Sequence, residues 1–171
     1  NYLQHVAQIQ QRWETALAAN RFDAALVAAG ARRNYFLDDQ APPFRANPHF
    51  SQWLDASGCE HAMLLIQPGH KPTLFFHQQR DYWHQPPAVP DLAGAIDIVI
   101  FDTLDALVEG ACRAVERQNR TALIGDSSGQ PTNLPVAESN PQQLLNHLHF
   151  GRAHKTAFEI DCMRHATEIG V

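Results

Sequence analysis

Asp23-Ala24-Ala25-Leu26-Val27-Ala28-Ala29-Gly30 is a short apolar run that ends on a glycine. With no polar residue alternating through it, the run reads as a strand buried on both faces, which requires cover above and below. Upstream, Leu3, Val6, Ala7, Gln10, Trp13, Leu17 and Asn20 share one helical stripe, and Gln8, Gln11, Arg12 and Glu14 between them are polar. Residues near 3 to 19 therefore read as an amphipathic helix. A helix feeding a doubly buried strand opens an α/β fold.

Outward from that strand, Ala62 to Ile66 and Thr73 to His77 flank Gln67-Pro68-Gly69-His70-Lys71-Pro72, where Pro-Gly marks a turn, so the pair reads as a hairpin. Ile96 to Phe101 reads as a further strand. Asp102 or Thr103 then caps a helix with Leu104, Leu107, Val108, Ala111, Cys112 and Val115 on its buried face, and Thr121 to Gly125 follows as a strand. That crossover predicts parallel pairing, and with the hairpin it makes the sheet mixed. Asn140-Pro141 supplies a cap and an N1 proline for a helix to about Leu148, and Ala157 to Ile169 reads as a last amphipathic helix that begins a new element after the sheet is complete. The expectation is a three-layer mixed β-sheet with helices on both faces.

The composition narrows the function. Thirteen Lys and Arg against eighteen Asp and Glu give a net charge of −5 over 171 residues. Nucleic acid and anionic membranes both need a basic footprint, so neither is the expected partner. No apolar run approaches the ~20 residues that span a bilayer, and Asn1 to Gln11 lack the form of a signal peptide, which points to the cytoplasm. Cys59, Cys112 and Cys162 are far apart and without CxxC spacing, and read as buried thiols.

Two loops break the regular pattern. Residues 31 to 60 carry Pro42, Pro43 and Pro48 and admit only a short helix around His49 to Leu54; residues 78 to 94 carry Pro86, Pro87 and Pro90. Asp38-Asp39 with Phe44, Phe50 and Trp53 is either a polar grip inside an aromatic wall or a turn cap beside a solvated carboxylate. Asp81-Tyr82-Trp83-His84 is either an exposed anchor or, as residue types alone favour, a loop plug packed on its own domain. Asp126-Ser127-Ser128-Gly129 reads as a turn. Ten histidines, among them His147, His149, His154 and His165, show no HExxH spacing and read as surface or capping residues rather than metal ligands. GxSxG, GxGxxG and GxxxxGK[ST] are absent. From the residues alone, no complete catalytic apparatus emerges.

Three stretches in register carry a family resemblance. Arg33-Asn34-Tyr35-Phe36-Leu37-Asp38-Asp39, with Pro43-Phe44-Arg45-Ala46-Asn47-Pro48-His49-Phe50-Ser51-Gln52-Trp53-Leu54, resembles the FLDD and PFxxNPxFxxW loop in the amino-terminal, creatinase-like domain of bacterial Xaa-Pro dipeptidases, the prolidases, which include organophosphorus acid anhydrolases. Asp81-Tyr82-Trp83-His84 resembles their D[FY]WH segment. His149 to Thr156, with Glu159, Met163 and Arg164, resembles the HxRAxKTxxE…MR entry to their catalytic domain. Gln40-Ala41-Pro42 departs from the aromatic or histidine residues that relatives place there.

The resemblance implies residues 1–151 as the creatinase-like domain and 152–171 as linker and first helix of a carboxyl-terminal pita-bread domain beyond this chain. It implies that the parent is a metallopeptidase cleaving dipeptides with carboxyl-terminal proline, and that this chain alone is inactive, with no catalytic residue, metal or cofactor of its own. Two divalent metals, manganese by family habit, would lie in the carboxyl-terminal domain and activate a water. The domain itself would form a homodimer and complete the partner subunit's substrate pocket, with Asp39 first, then Trp83 and His84, as pocket residues. Two alternatives keep the fold: a stand-alone peptide- or protein-binding module, and the amino-terminal domain of aminopeptidase P.

Overall fold

A computed structural model of the chain describes residues 1–78, 82–83, 85–126 and 133–170. Helix α1 (Tyr2–Ala19) starts where the Asn1 side chain accepts the Leu3 N–H, and it buries His5, Val6, Ile9, Trp13, Ala16 and Leu17. The predicted stripe is rotated slightly, leaving Leu3 and Ala7 outside. Strand β1 (Ala24–Ala28) is buried at every residue, as its unbroken apolar run requires.

Among the described residues six strands form one sheet. β2 (Met63–Ile66) and β3 (Thr73–His77) make the predicted hairpin, β4 (Asp97–Phe101) and β5 (Thr121–Ile124) follow, and β6 (Glu138–Ser139) is a two-residue addition. The order is β4-β3-β2-β1-β5-β6. β1 pairs antiparallel with β2 and β2 with β3, whereas β3–β4, β1–β5 and β5–β6 are parallel.

One expectation is corrected by this order. β4 and β5, joined by helix α3 (Leu104–Glu116), run in the same direction but do not pair with each other. The crossover carries the chain past three strands, and each end finds its parallel partner elsewhere, β4 on β3 and β5 on β1. β6 escapes the sequence reading because two polar residues carry no periodicity.

Helices cover both faces, giving the expected three layers. On one face α1, the short α2 (Pro48–Ser51) and α4 (Gln142–Ala153) pack Trp13, Leu17, Phe50, Trp53, Leu144 and Leu148 against alternate strand residues such as Ala25, Val27, Leu64 and Phe76. On the other, α3 packs Leu107, Ala111 and Val115 on Leu26, Leu65, Phe75 and Leu123. Thr103, rather than Asp102, caps α3. Leu104 lies on the exposed side of that helix.

Asn140 does not cap α4. Its side chain is held by both backbone groups of Gly125, accepting from N–H at 2.9 Å and donating to C=O at 2.7 Å, and α4 begins on Pro141 with no side-chain cap. α4 also runs on to Ala153, past the predicted end at Leu148. Helix α5 (Ala157–Ile169) opens on a Thr156–Glu159 capping box and buries none of its residues. No helix among the described residues is long and apolar enough to cross a membrane.

Candidate functional site

β1, β3, β4 and β5 point the same way, so their carboxyl ends share one edge of the sheet, the edge at which α/β sheets bind ligands. Both irregular loops leave from there, residues 29–47 from β1 and 78–96 from β3.

Asn47 anchors the first loop. Its amide donates to the carbonyl oxygens of Ala28 at 3.2 Å and Ile124 at 3.4 Å, bridging the ends of β1 and β5, while Oδ1 accepts the His49 N–H that opens α2. Gly125, at φ +149, is forced by the same crowding, since a Cβ there would lie 3.0 Å from Ala28 Cβ and 3.2 Å from its carbonyl oxygen. Arg32 grips Glu60 through its backbone N–H at 2.7 Å and its Nε at 2.9 Å, and Arg33 reaches Asp126 at 3.1 Å.

The loop tip stands beyond those ties. Tyr35 N–H donates to Gln40 O, Asp38 N–H donates to Tyr35 O, and Asp38 Oδ1 accepts the Gln40 N–H. Asp38 is thus the turn residue of the pair, which leaves the exposed Asp39 carboxylate facing outward. Leu37 takes a left-handed φ of +57, and Phe36 and Leu37 are 93% and 92% exposed. The aromatic wall is not where it was expected. Phe50 and Trp53 are fully buried in the core, with Trp53 beside Trp13, and Phe44 packs against the same cluster, so Asp39 has none of them as a lining.

On the second loop Tyr82 and Trp83 are 90% and 83% exposed and meet edge to face at 5.0 Å. The plug reading fails for these two, which are presented rather than packed away. Asp81 and His84 lie outside the described residues, as does Ser127-Ser128-Gly129. The loop's base is closed by Gln78, whose N–H donates to Phe101 O and whose side chain donates to Pro87 O. At that base His77 faces His61 at 6.3 Å, and burial, followed by the charge of His61, lowers its pKa against a smaller opposing effect from an Asp102 backbone hydrogen bond.

Among the described residues five histidines are exposed, His61 and His77 are half-buried, and two are buried. His5 is buried between Thr156 Oγ1 and Gln52 O, both at 2.8 Å. His49 is buried against Trp13 and stacked on His149 at 5.1 Å, with neither ring nitrogen partnered; burial, then Arg152 and His149, lowers its pKa to about 4. Both follow from helix registers that residue type alone does not reveal. Among the described residues, no three His, Cys, Asp or Glu side chains gather as a metal site. All three cysteines are free thiols, but only Cys59 is buried; Cys162 is exposed because α5 covers nothing there.

A groove of about 1120 Å³ runs between α5 and residues 87–93, with Tyr2, Trp53, Phe158 and Met163 in its lining. Neither Asp39 nor Trp83 lines it.

Residues 1–150 match the family model described as Xaa-Pro dipeptidase, N-terminal domain. The chain belongs to that family. Similar curated proteins include "Xaa-Pro dipeptidase 2" of Idiomarina loihiensis, 36% identical over 98% of this chain and 39% of that protein. "Xaa-Pro dipeptidase" of Pseudoalteromonas atlantica is 32% identical over 99% of the chain and 38% of its own length. The Xaa-Pro dipeptidase N-terminal domain described here thus spans about two fifths of the relatives it matches. A structure titled as a putative aminopeptidase P from Bacillus anthracis superposes with a TM-score of 0.61 at 15% identity, over 92% of this chain and 42% of that one. At that identity it bears on the fold, whose α/β architecture it shares.

Proposed function

We propose that this domain serves an Xaa-Pro dipeptidase by presenting its two carboxyl-edge loops to the substrate pocket of a partner subunit in a homodimer. The observation that carries the reading is the exposure of Asp39 and of the Tyr82–Trp83 pair on loops leaving one edge of the sheet, in a chain of this family. Asp39 is an exposed carboxylate, suited to the free amino group of a dipeptide, and Trp83 offers an apolar wall that limits peptide length. His84, beside Trp83 in sequence, is the third pocket residue of the proposal.

The chemistry of bond cleavage is assigned outside this chain. In this reading two divalent metals, manganese by family resemblance, are held by a part of the protein that corresponds to what the longer relatives have beyond this domain. The domain's own work is to bind, orient and exclude. The cytoplasm is its proposed location, in keeping with a net charge of −5 and three unpaired thiols.

The test is steady-state kinetics of the full-length protein on Leu-Pro. Replacing Asp39 by Ala removes a charge-assisted hydrogen bond worth roughly 1.5–3 kcal/mol, so kcat/KM falls about 10- to 100-fold, chiefly through KM. Unchanged constants for D39A and for Trp83→Ala would overturn the assignment.

A further inference from the structure

The two margins of the sheet differ. β6, at one margin, is two polar residues long and offers little to a neighbour. β4, at the other, is Asp97-Ile98-Val99-Ile100-Phe101, five residues without proline, lysine or arginine. Natural edge strands are ordinarily shortened, charged or interrupted to prevent pairing, and this one is not. Its single charge, Asp97, is met by Lys71 at 3.5 Å.

The backbone of β4 divides cleanly. Asp97 N–H donates to Pro72 O and Phe101 O accepts the Gln78 N–H, so in the parallel ladder Asp97, Val99 and Phe101 turn their amides and carbonyls toward β3. Ile98 and Ile100 therefore turn theirs outward, and among the described residues nothing bonds to them on that side. Side chains alternate with the same period. Val99 is 40% exposed on the α3 face, while Ile100 is 45% exposed on the face shared with α1.

We infer that β4 is a self-association edge, which pairs antiparallel with β4 of a second copy about a two-fold axis through Val99. In that register Ile98 N–H donates to the partner's Ile100 O and Ile100 N–H to the partner's Ile98 O. The symmetry repeats both bonds, and Val99 meets its own copy in the intervening non-hydrogen-bonded position. No shifted register overlaps all five residues while using both outward residues of each chain. Apolar side chains then meet apolar ones on both faces, and each Asp97 stands opposite a Phe101 rather than another carboxylate. The occupant is a second copy rather than a foreign strand because the pattern of outward groups is its own complement. One strand per side falls short of the ~1,000 Å² of a stable interface, so the pairing is weak and concentration-dependent. It rests on the backbone groups of β4 and not on the loop contacts of the proposed function.

The experiment is sedimentation of the 171-residue chain over micromolar to millimolar concentrations, with thermal melts as a check of folding. Ile100→Pro removes an outward N–H while sparing every bond of the β3 ladder, and Ile100→Lys places a charge on the same edge. The expected result is a reversible dimer whose Kd rises at least about tenfold in both variants, with amides of Ile98 and Ile100 protected from exchange only at high concentration. Should Ile100→Pro fail to fold, Ile100→Lys and the exchange data decide. A monomer throughout the range, or a dimer that both folded variants retain, overturns the inference. Dimerisation lost on Trp83→Ala but kept by the Ile100 variants would assign association to the loops instead.

Discussion

Asn47 does three jobs with one amide side chain: it ties β1, ties β5 and caps α2. Asn47→Ala removes all three, and a cap alone is worth about 0.5–2 kcal/mol, so unfolding by urea should show a loss of roughly 2 kcal/mol without loss of cooperativity. His49 sets the acid response. Its pKa falls from an ordinary 6.5 to about 4 because burial, and then electrostatic repulsion from Arg152 and His149, oppose its protonated form. The unfolded chain therefore binds more protons between those values. The folded state carries no penalty from this group above pH 6.5 and loses stability as pH falls toward 4, on the order of 2–3 kcal/mol. His49→Phe should flatten the dependence of the urea midpoint on pH between 7 and 4.5, and an unaltered slope would locate the response elsewhere. The sequence alone shows neither residue's role, since both depend on partners far along the chain.

Among the elements, those with a strong period were readable in advance. α1, β1, the β2–β3 hairpin and α3 stand where spacing predicts them, because each buries a continuous stripe or face, and α5 stands where its spacing predicts although it buries none of its residues. Beyond the hairpin, strand neighbours were not readable, since the order β4-β3-β2-β1-β5 is fixed by long-range packing and α3 spans several strands. α5 hangs on few ties: His5 to Thr156, Phe158 against Tyr2 and His5, and Arg12 donating to Gly151 O and His154 O just upstream. Thr156→Ala breaks its capping box and leaves one nitrogen of buried His5 unpartnered. Amide exchange across residues 157–169 should accelerate at least tenfold while that of α1 stays unchanged.

At the scale of the whole molecule, the two hydrophobic clusters are complete without the loop tips. Phe36 and Leu37 contribute exposed surface rather than core, so Phe36→Ser with Leu37→Gly should shift melting by less than about 1 kcal/mol, and glycine also relieves the left-handed backbone at 37. A large loss would make the tip structural. The candidate site was legible only as loops of unusual composition: Asp39 and Trp83 were singled out from motif and resemblance. The lining expected from Phe50 and Trp53 failed because large aromatics near a turn serve the core as readily as a pocket.

The central position of β1 has a consequence for synthesis. Its antiparallel partner β2 is made soon after it, but its parallel partner β5 begins at Thr121, roughly a hundred residues later. At ~5–20 residues per second on the ribosome, one side of Ala24–Ala28 stays unpaired for several seconds. During that interval a wholly apolar strand is a nascent edge, and a chain arrested before Thr121 should bind hydrophobic dyes and holdase chaperones that the finished domain does not.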